Sequence, residues 1–239
     1  MPGAAAQTQP ALFLTTRWTL LMQARDGTGQ EAGALEALCA RYWRPALHFV
    51  KGGGVEHAEA EDVVQDFFAT FLRRESFGRA DPARGRFRSF FLGALRLHLA
   101  SHWRRAAAQK RGGGLRPLPL ESAEGVEDAA AAEAMERAFD RQWAITLLAA
   151  AADDLRNEMQ AAGRGEILAA LEPLLAGGSA QSYSDVAQLL GVNEQRVATW
   201  LHRMRQRRAE LIRLRVAETV DDPKDLDDEL RHLLRVVTE

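Results

Sequence analysis

Gln195, Arg196, Thr199, His202, Arg203 and Gln206 recur at helical spacing within Ser182–Arg208, SYSDVAQLLGVNEQRVATWLHRMRQRR. Each can donate a hydrogen bond, so on one face of a helix lying in a DNA major groove they could read base edges and hold phosphates. The chemistry is recognition, with no bond made or broken. The segment supplies what such a helix needs. Ser182-x-x-Asp185 is a capping-box pattern opening a first helix, with Val186, Leu189 and Leu190 on its apolar side. Ala187 leaves room for a crossing helix, Gly191 suits a tight turn and Asn193 can cap the next helix. Val197, Leu201, Met204 and Arg208 then share the face opposite the donors, with Trp200 at its margin, where packing is favoured over DNA contact. The plainer alternative is a helical hairpin with a solvated basic face.

Other residue groups suggest less. His98 and His102 are spaced i, i+4 and could share a metal, but no third ligand or metalloprotease glutamate stands beside them. They read as a solvated or DNA-facing pair. Trp103 could stack on a base or pack in a core, whereas Trp18, Trp43 and Trp143 look like core anchors. The acids of Glu56–Asp66 have no nucleophile or cofactor motif around them, so no enzymatic activity, cofactor or small-molecule substrate is expected. Gly112-Gly113-Gly114 lacks the following Lys-Ser/Thr and the preceding strand of a phosphate loop, and reads as linker. Cys39 is the single cysteine, which excludes an internal disulfide or a cysteine zinc site.

The 239 residues suffice for one large or two small domains, and 46% hydrophobic residues are enough for real cores. No apolar run approaches the ~18 residues that span a bilayer. The start, MPGAAAQTQPALFLTTRW, lacks the features of a secretory leader, so a cytoplasmic protein without membrane contact is expected. The net charge of −2 hides a segregation. Arg84, Arg86, Arg88, Arg96, Arg104, Arg105, Lys110 and Arg111 follow one another without an acid between Arg84 and Arg111. A second basic block runs from Arg196 to Arg215, interrupted by Glu210. Acid gathers at Glu56–Asp66 and Glu218–Glu229. Two basic blocks on one chain suggest two nucleic-acid contacts.

Ala, Leu, Glu and Arg dominate and strand signals are scarce, so the fold is expected to be all-α. The spacing predicts helices over Ala34–Lys51, from about Glu59 to Arg74, over Phe87 to about Lys110, over Ala129 to about Ala161 and over Arg164–Leu175. The two helices of the Ser182–Arg208 segment follow, the second continuing to about Glu218. After Pro223 comes an amphipathic segment with Leu226, Leu230, Leu233, Leu234 and Val237 on one side. The expected organisation is two small helical domains: residues 12–111, a flexible linker at 112–130, a helix-turn-helix domain at 131–216 and an acidic C-terminal helical extension at 217–239.

Glu59-Ala60-Glu61-Asp62-Val63-Val64-Gln65-Asp66-Phe67-Phe68 closely resembles the acidic helix by which bacterial RNA polymerase sigma factors grip the polymerase clamp. Phe87-Arg88-Ser89-Phe90-Phe91-Leu92 through Trp103-Arg104-Arg105 resembles their promoter-melting, minus-ten-reading helix. With the glycine-rich linker and the C-terminal helix-turn-helix, the order is similar to the extracytoplasmic-function group over about Thr16–Arg215. TRWTLL, LCARYWRP, GRFRSFF and AQKRGGG resemble a subgroup common in planctomycete-like bacteria. Phe90, Leu97 and Ser101 stand where such factors often carry Trp, Asn and Asp.

The resemblance implies polymerase contact by Glu59, Glu61, Asp62, Gln65 and Asp66. It implies minus-ten DNA contact by Arg84, Arg86, Arg88, Arg96, Arg104 and Arg105, with residues 79–86 as the loop that captures flipped bases. Minus-thirty-five contact falls to Gln195, Arg196, Thr199, His202, Arg203 and Gln206. The implied partners are RNA polymerase core and promoter DNA, with an anti-sigma factor or other regulator as a further candidate. The alternative is a dimeric helix-turn-helix regulator that binds duplex DNA without polymerase. The acidic extension, whose short helix would be marginal alone, is expected to dock on a basic surface of the same chain.

Overall fold

Apolar side chains three and four residues apart give almost every segment one buried stripe, and the helices assemble by stacking those stripes. The structure, a computed structural model, describes residues 31–71, 87–110, 129–177, 181–220 and 222–238. Residues 1–30, 72–86 and 111–128 lie outside the described residues, and with them the expected contacts Arg84 and Arg86, the 79–86 loop, Trp18 and nearly all of the linker. The regular elements among the described residues are helical. They are α1 (Glu31–Gly52), α2 (His57–Phe71), α3 (Phe87–Lys110), α4 (Ala129–Ala161), α5 (Gly165–Ala176), α6 (Tyr183–Leu190), α7 (Glu194–Ala217) and α8 (Leu226–Thr238), with a 3-10 turn at Pro223–Asp225. None is long and apolar enough to cross a membrane.

The first core is aromatic. Phe91 of α3 is wholly buried, its ring 4.6 Å from Tyr42 of α1, 5.2 Å from Phe67 and from Phe71 of α2, and 6.1 Å from Phe139 of α4. One side chain of α3 therefore touches three other helices. Trp43 stacks on Phe68 at 5.7 Å, and Trp143 is buried in the same core, as their types suggest. Close approach at the end of α1 depends on glycine. A Cβ at Gly53 would lie 2.9 Å from Met135 Cε and 3.0 Å from Trp103 Cζ2. Trp103 is thereby accounted for by packing.

The second core joins Leu168, Leu171 and Leu175 of α5, Val186 and Ala187 of α6, and Val197, Leu201, Met204 and Leu211 of α7. Trp200 is half-buried against it. The 33-residue α4, about 50 Å long at 1.5 Å per residue, serves both cores. Met135, Phe139, Trp143 and Leu147 enter the first, Ala151 and Leu155 the second. The stretch that follows the 112–130 connector is thus divided between the two clusters.

The C-terminal helix is set at an unexpected rotation. The stripe Leu226, Leu230, Leu233, Leu234 and Val237 predicts a purely apolar buried face. Instead Leu233 is buried and Leu226, Leu230 and Val236 are half-buried, while Leu234 is 64% and Val237 51% exposed. The buried face takes in Glu229 instead, whose exposure is 0%. Full burial of a leucine is worth about 1.5–3 kcal/mol, so a polar contact must hold this setting.

Because Phe91 ties four helices, Phe91→Ala is expected to cost about 3–5 kcal/mol of stability, read as a lower midpoint in denaturant-induced unfolding.

Candidate nucleic-acid interface

The segment α6–turn–α7 is built as its spacing predicts. Ser182 Oγ accepts from Asp185 N at 3.1 Å and the Asp185 carboxylate accepts from Ser182 N at 2.7 Å, which closes the capping box. Those bonds, the backbone one first, hold the Asp185 carboxyl below its ordinary range. Gly191 ends α6 at φ 65°, in the left-handed region that favours glycine. Asn193 Oδ1 accepts from Arg196 N at 2.9 Å and starts α7.

Val197, Leu201 and Met204 turn inward, and Gln195, Arg196, Thr199, His202, Arg203 and Gln206 are all exposed on the other side. Thr199 Oγ1 donates to Gln195 O at 2.8 Å, which leaves its lone pairs outward. The Arg196 guanidinium lies 5.1 Å over the Trp200 ring and is steadied there.

The rest of the basic block is structural. Arg205 and Arg208 donate to Leu174 O at 3.1 Å and Leu175 O at 3.0 Å, where they complement the C-terminal carbonyls of α5. Arg207 grips Glu158 through two bonds of 2.9 and 2.7 Å and pairs with Glu210. Arg215 clasps Asp154, with Nε at 2.6 Å. The block's uniform charge in sequence thus separates into an outward group near the start of α7 and a group spent on holding helices together.

On α3 the expected contacts also divide. Arg96 is half-exposed and pairs with Glu136 of α4. Arg104 bonds Ala100 O at 3.3 Å within its own helix, and exposed Arg105 lies 3.9 Å from Asp66. Leu97, 60% exposed, shares the outward side with Arg104 and Ser101. Arg88 departs from expectation. A phosphate contact requires an accessible guanidinium, and Arg88 is 8% exposed.

Arg88 pairs with Asp140 of α4, donates from Nε to Glu229 Oε1 of α8 at 3.1 Å, and lies 5.3 Å over Trp143. Burial works against its charge, but the Asp140 and Glu229 carboxylates outweigh it and hold the proton more tightly than usual. His232 Nε2 stands 3.0 Å from Asp140 Oδ2, close enough for pairing though not aligned as a hydrogen bond. Asp140, Glu229 and His232 escape sequence reasoning, since acids and histidines normally mark a wet face. The available signal is Glu229 itself, an acid four residues before Leu233 in the leucine spacing of α8.

The acidic candidates Glu59, Glu61, Asp62, Gln65 and Asp66 are all exposed on α2, whose other side, Val63, Val64, Phe67 and Phe68, is core. Glu59 lies 3.2 Å from His102 and Asp66 3.4 Å from His98, so the two histidines face the acidic helix rather than solvent or DNA. Asp62 and Gln65 lie at the centre of the outward face. Among the described residues no cluster of three or more His, Cys, Asp or Glu could hold a metal. Burial pushes the Cys39 thiol up, away from the reactive thiolate. Compared with family models, with curated proteins and with solved structures, the chain finds no match.

Burial, ahead of the repulsion from Arg105 and His102, lowers the His98 pKa below its ordinary 6.5 despite Asp66. The unfolded chain therefore binds this proton more readily, and the contribution is present above pH 6.5 and lost as pH falls below it. His48 is shifted in the same direction. The melting temperature is expected to drop between pH 7 and pH 5.5, less steeply in His98→Asn, and equal slopes would refute this role for His98.

Proposed function

We propose that this chain is a sigma factor that binds RNA polymerase core, recognises a promoter and promotes its melting, with no covalent chemistry of its own. The observation that carries the reading is the exposed donor row Gln195–Gln206 on a capped helix packed across α6 behind a glycine turn. Such a helix can enter a major groove donor face first. The acidic α2 and the basic, aromatic α3 precede it in the order that resembles sigma factors. A dimeric duplex-binding regulator would use α7 equally well. It would have no use for the outward face at Asp62 and Gln65, which suits a basic protein surface. The reading places the chain in the cytoplasm, with core polymerase and promoter DNA as partners and no cofactor.

On this reading α7 holds the upstream element and α3, with Arg96, Leu97, Arg104 and Arg105, meets the strand that opens. Arginines bind phosphate while apolar groups contact unstacked bases. The test is whether the purified chain retains core polymerase in a pull-down and directs initiation from a defined start. Duplex binding without polymerase retention would favour the regulator instead.

Two substitution sets refine the assignment. Asp62→Lys is expected to weaken core binding with helix content unchanged, and Asp66→Lys to do so while also disturbing α3; unaltered affinity in both would count against the docking face. Arg196→Ala or Arg203→Ala is expected to lose ~1–3 kcal/mol of specific duplex affinity where a bidentate base contact is removed. Arg207→Ala, already committed to Glu158 and Glu210, should leave it nearly unchanged, as gel-shift titrations would show.

A further inference from the structure

We infer that α8 is an autoinhibitory latch, closed by the buried pairing of Glu229 with Arg88, which conceals an arginine of the promoter-facing helix until the C-terminal helix undocks. The inference rests on the sigma-factor reading for what the latch controls, but the latch itself stands on the geometry.

Two features of the contact point to a switch rather than to a stabilising extension. The first is the composition of the contact. Arg88 at 8% exposure and Glu229 at 0% meet between α3 and α8, with Asp140 of α4 closing the cluster. Desolvating charges offsets much of their attraction, so apolar side chains of similar volume would hold a permanent extension at least as well. The second is the rotation of α8. The helix carries Leu234 and Val237 on its surface, 64% and 51% exposed, and turns an acid inward. That setting sacrifices apolar burial to reach Arg88. A contact made this way is strong while closed and becomes easy to exchange once an anion competes for the guanidinium.

Arg88 is the second residue of α3, at the point where residues 79–86 lead into that helix. A DNA phosphate is the natural competitor, because its two non-bridging oxygens, like those of a carboxylate, can accept two parallel N–H bonds from an arginine. Undocking α8 would uncover Arg88, remove one of its two carboxylate partners and leave Asp140 as the other. A phosphate can then take the place of Glu229 beside the surface formed by Arg96, Arg104 and Arg105. No bond is made or broken. One ion pair replaces another, and the released helix, short and amphipathic, is left marginal in water. A second set of ion pairs, Arg41–Glu218 with Arg215–Glu218 and Arg215–Asp154, ties the end of α7 to α1 and α4 and keeps the root of the latch in place.

The test uses the full chain as wild type, Glu229→Gln, Arg88→Gln and the double variant, with a fluorescent mixed-sequence duplex carrying an unpaired bubble of about ten bases. Amide hydrogen exchange of α8 is read in parallel. Glu229→Gln is expected to speed exchange across α8, to tighten DNA binding roughly threefold or more, and to steepen the log–log salt dependence by ~0.7–0.9, the share of one added phosphate contact on single-stranded or duplex DNA. Adding Arg88→Gln should cancel both DNA effects.

Unchanged exchange in α8 would overturn the latch whatever the DNA result. Released α8 with unchanged DNA affinity, in a chain that still directs initiation with core polymerase, would overturn its inhibitory role alone. If no variant binds DNA and the wild type directs no initiation, the sigma-factor reading fails and with it what the latch controls, while exchange in α8 still decides whether Glu229 and Arg88 hold the helix closed. Should Glu229→Gln misfold, a chain ending at Val220 serves in its place. Tighter binding by that chain supports the latch, and weaker binding with helix content intact overturns it.

Discussion

The guanidinium of Arg88 is the point at which three helices agree on their positions. It arrives from the first turn of α3, takes Asp140 from α4 and Glu229 from α8, and lies over Trp143. Removing one member of such a buried set costs about 3–5 kcal/mol, whereas exchanging the whole set for apolar groups is often neutral. The cluster therefore contributes little net stability and a great deal of positional information. It fixes the rotation of α8, while the end of α7 is held against α1 and α4 by the pairs of Arg41 with Glu218 and of Arg215 with Asp154. The two hydrophobic clusters supply the stability, and α4, running through both, transmits the position of one to the other.

Much of this could be read from residue order, because helix boundaries depend on local chemistry. Ser182, Asp185, Gly191 and Asn193 fix the ends of α6 and the start of α7 within a few residues of themselves, and the structure places those ends where the spacing does. The donor row on α7 and the acidic row on α2 were legible for the same reason, since helical periodicity decides which side of a helix faces out once its apolar side is known. The long-range ion pairs were not. Arg88 and Glu229 are 141 residues apart, and nothing local to either says that a charge will be buried. Periodicity assigned α8 a face of four leucines and Val237, and was defeated where the helix turns Glu229 inward to Arg88. Similarly, the run from Arg196 to Arg215 looks like one basic patch in sequence, while Arg205, Arg207, Arg208 and Arg215 are spent on carbonyls and carboxylates of α4 and α5.

On the proposed reading, this division suits a chain that keeps the contact on α3 in reserve while the donor row of α7 stays exposed. A latch acts by population. If the closed form is favoured by a few kcal/mol, DNA or a protein partner opens it only to the extent that it binds the open form better. The apparent affinity of the free chain is then reduced by the fraction that is open. The apolar side chains of α8 supply most of that bias, and the buried arginine pair makes it sensitive to phosphate, to which an apolar seam alone would not respond at all.

The central claim is that α8 leaves α3 when the chain is at work, and an intramolecular distance reports it most directly. With Cys39 replaced by serine, spin labels at Ser89→Cys on α3 and Arg235→Cys on α8 occupy exposed positions on either side of the cluster. The free chain should give one short, narrow distance distribution. Adding core polymerase and promoter DNA should replace it with a long, broad one. A distribution that stays short and narrow in a complex competent for initiation would contradict the latch and leave α8 as a fixed part of the fold.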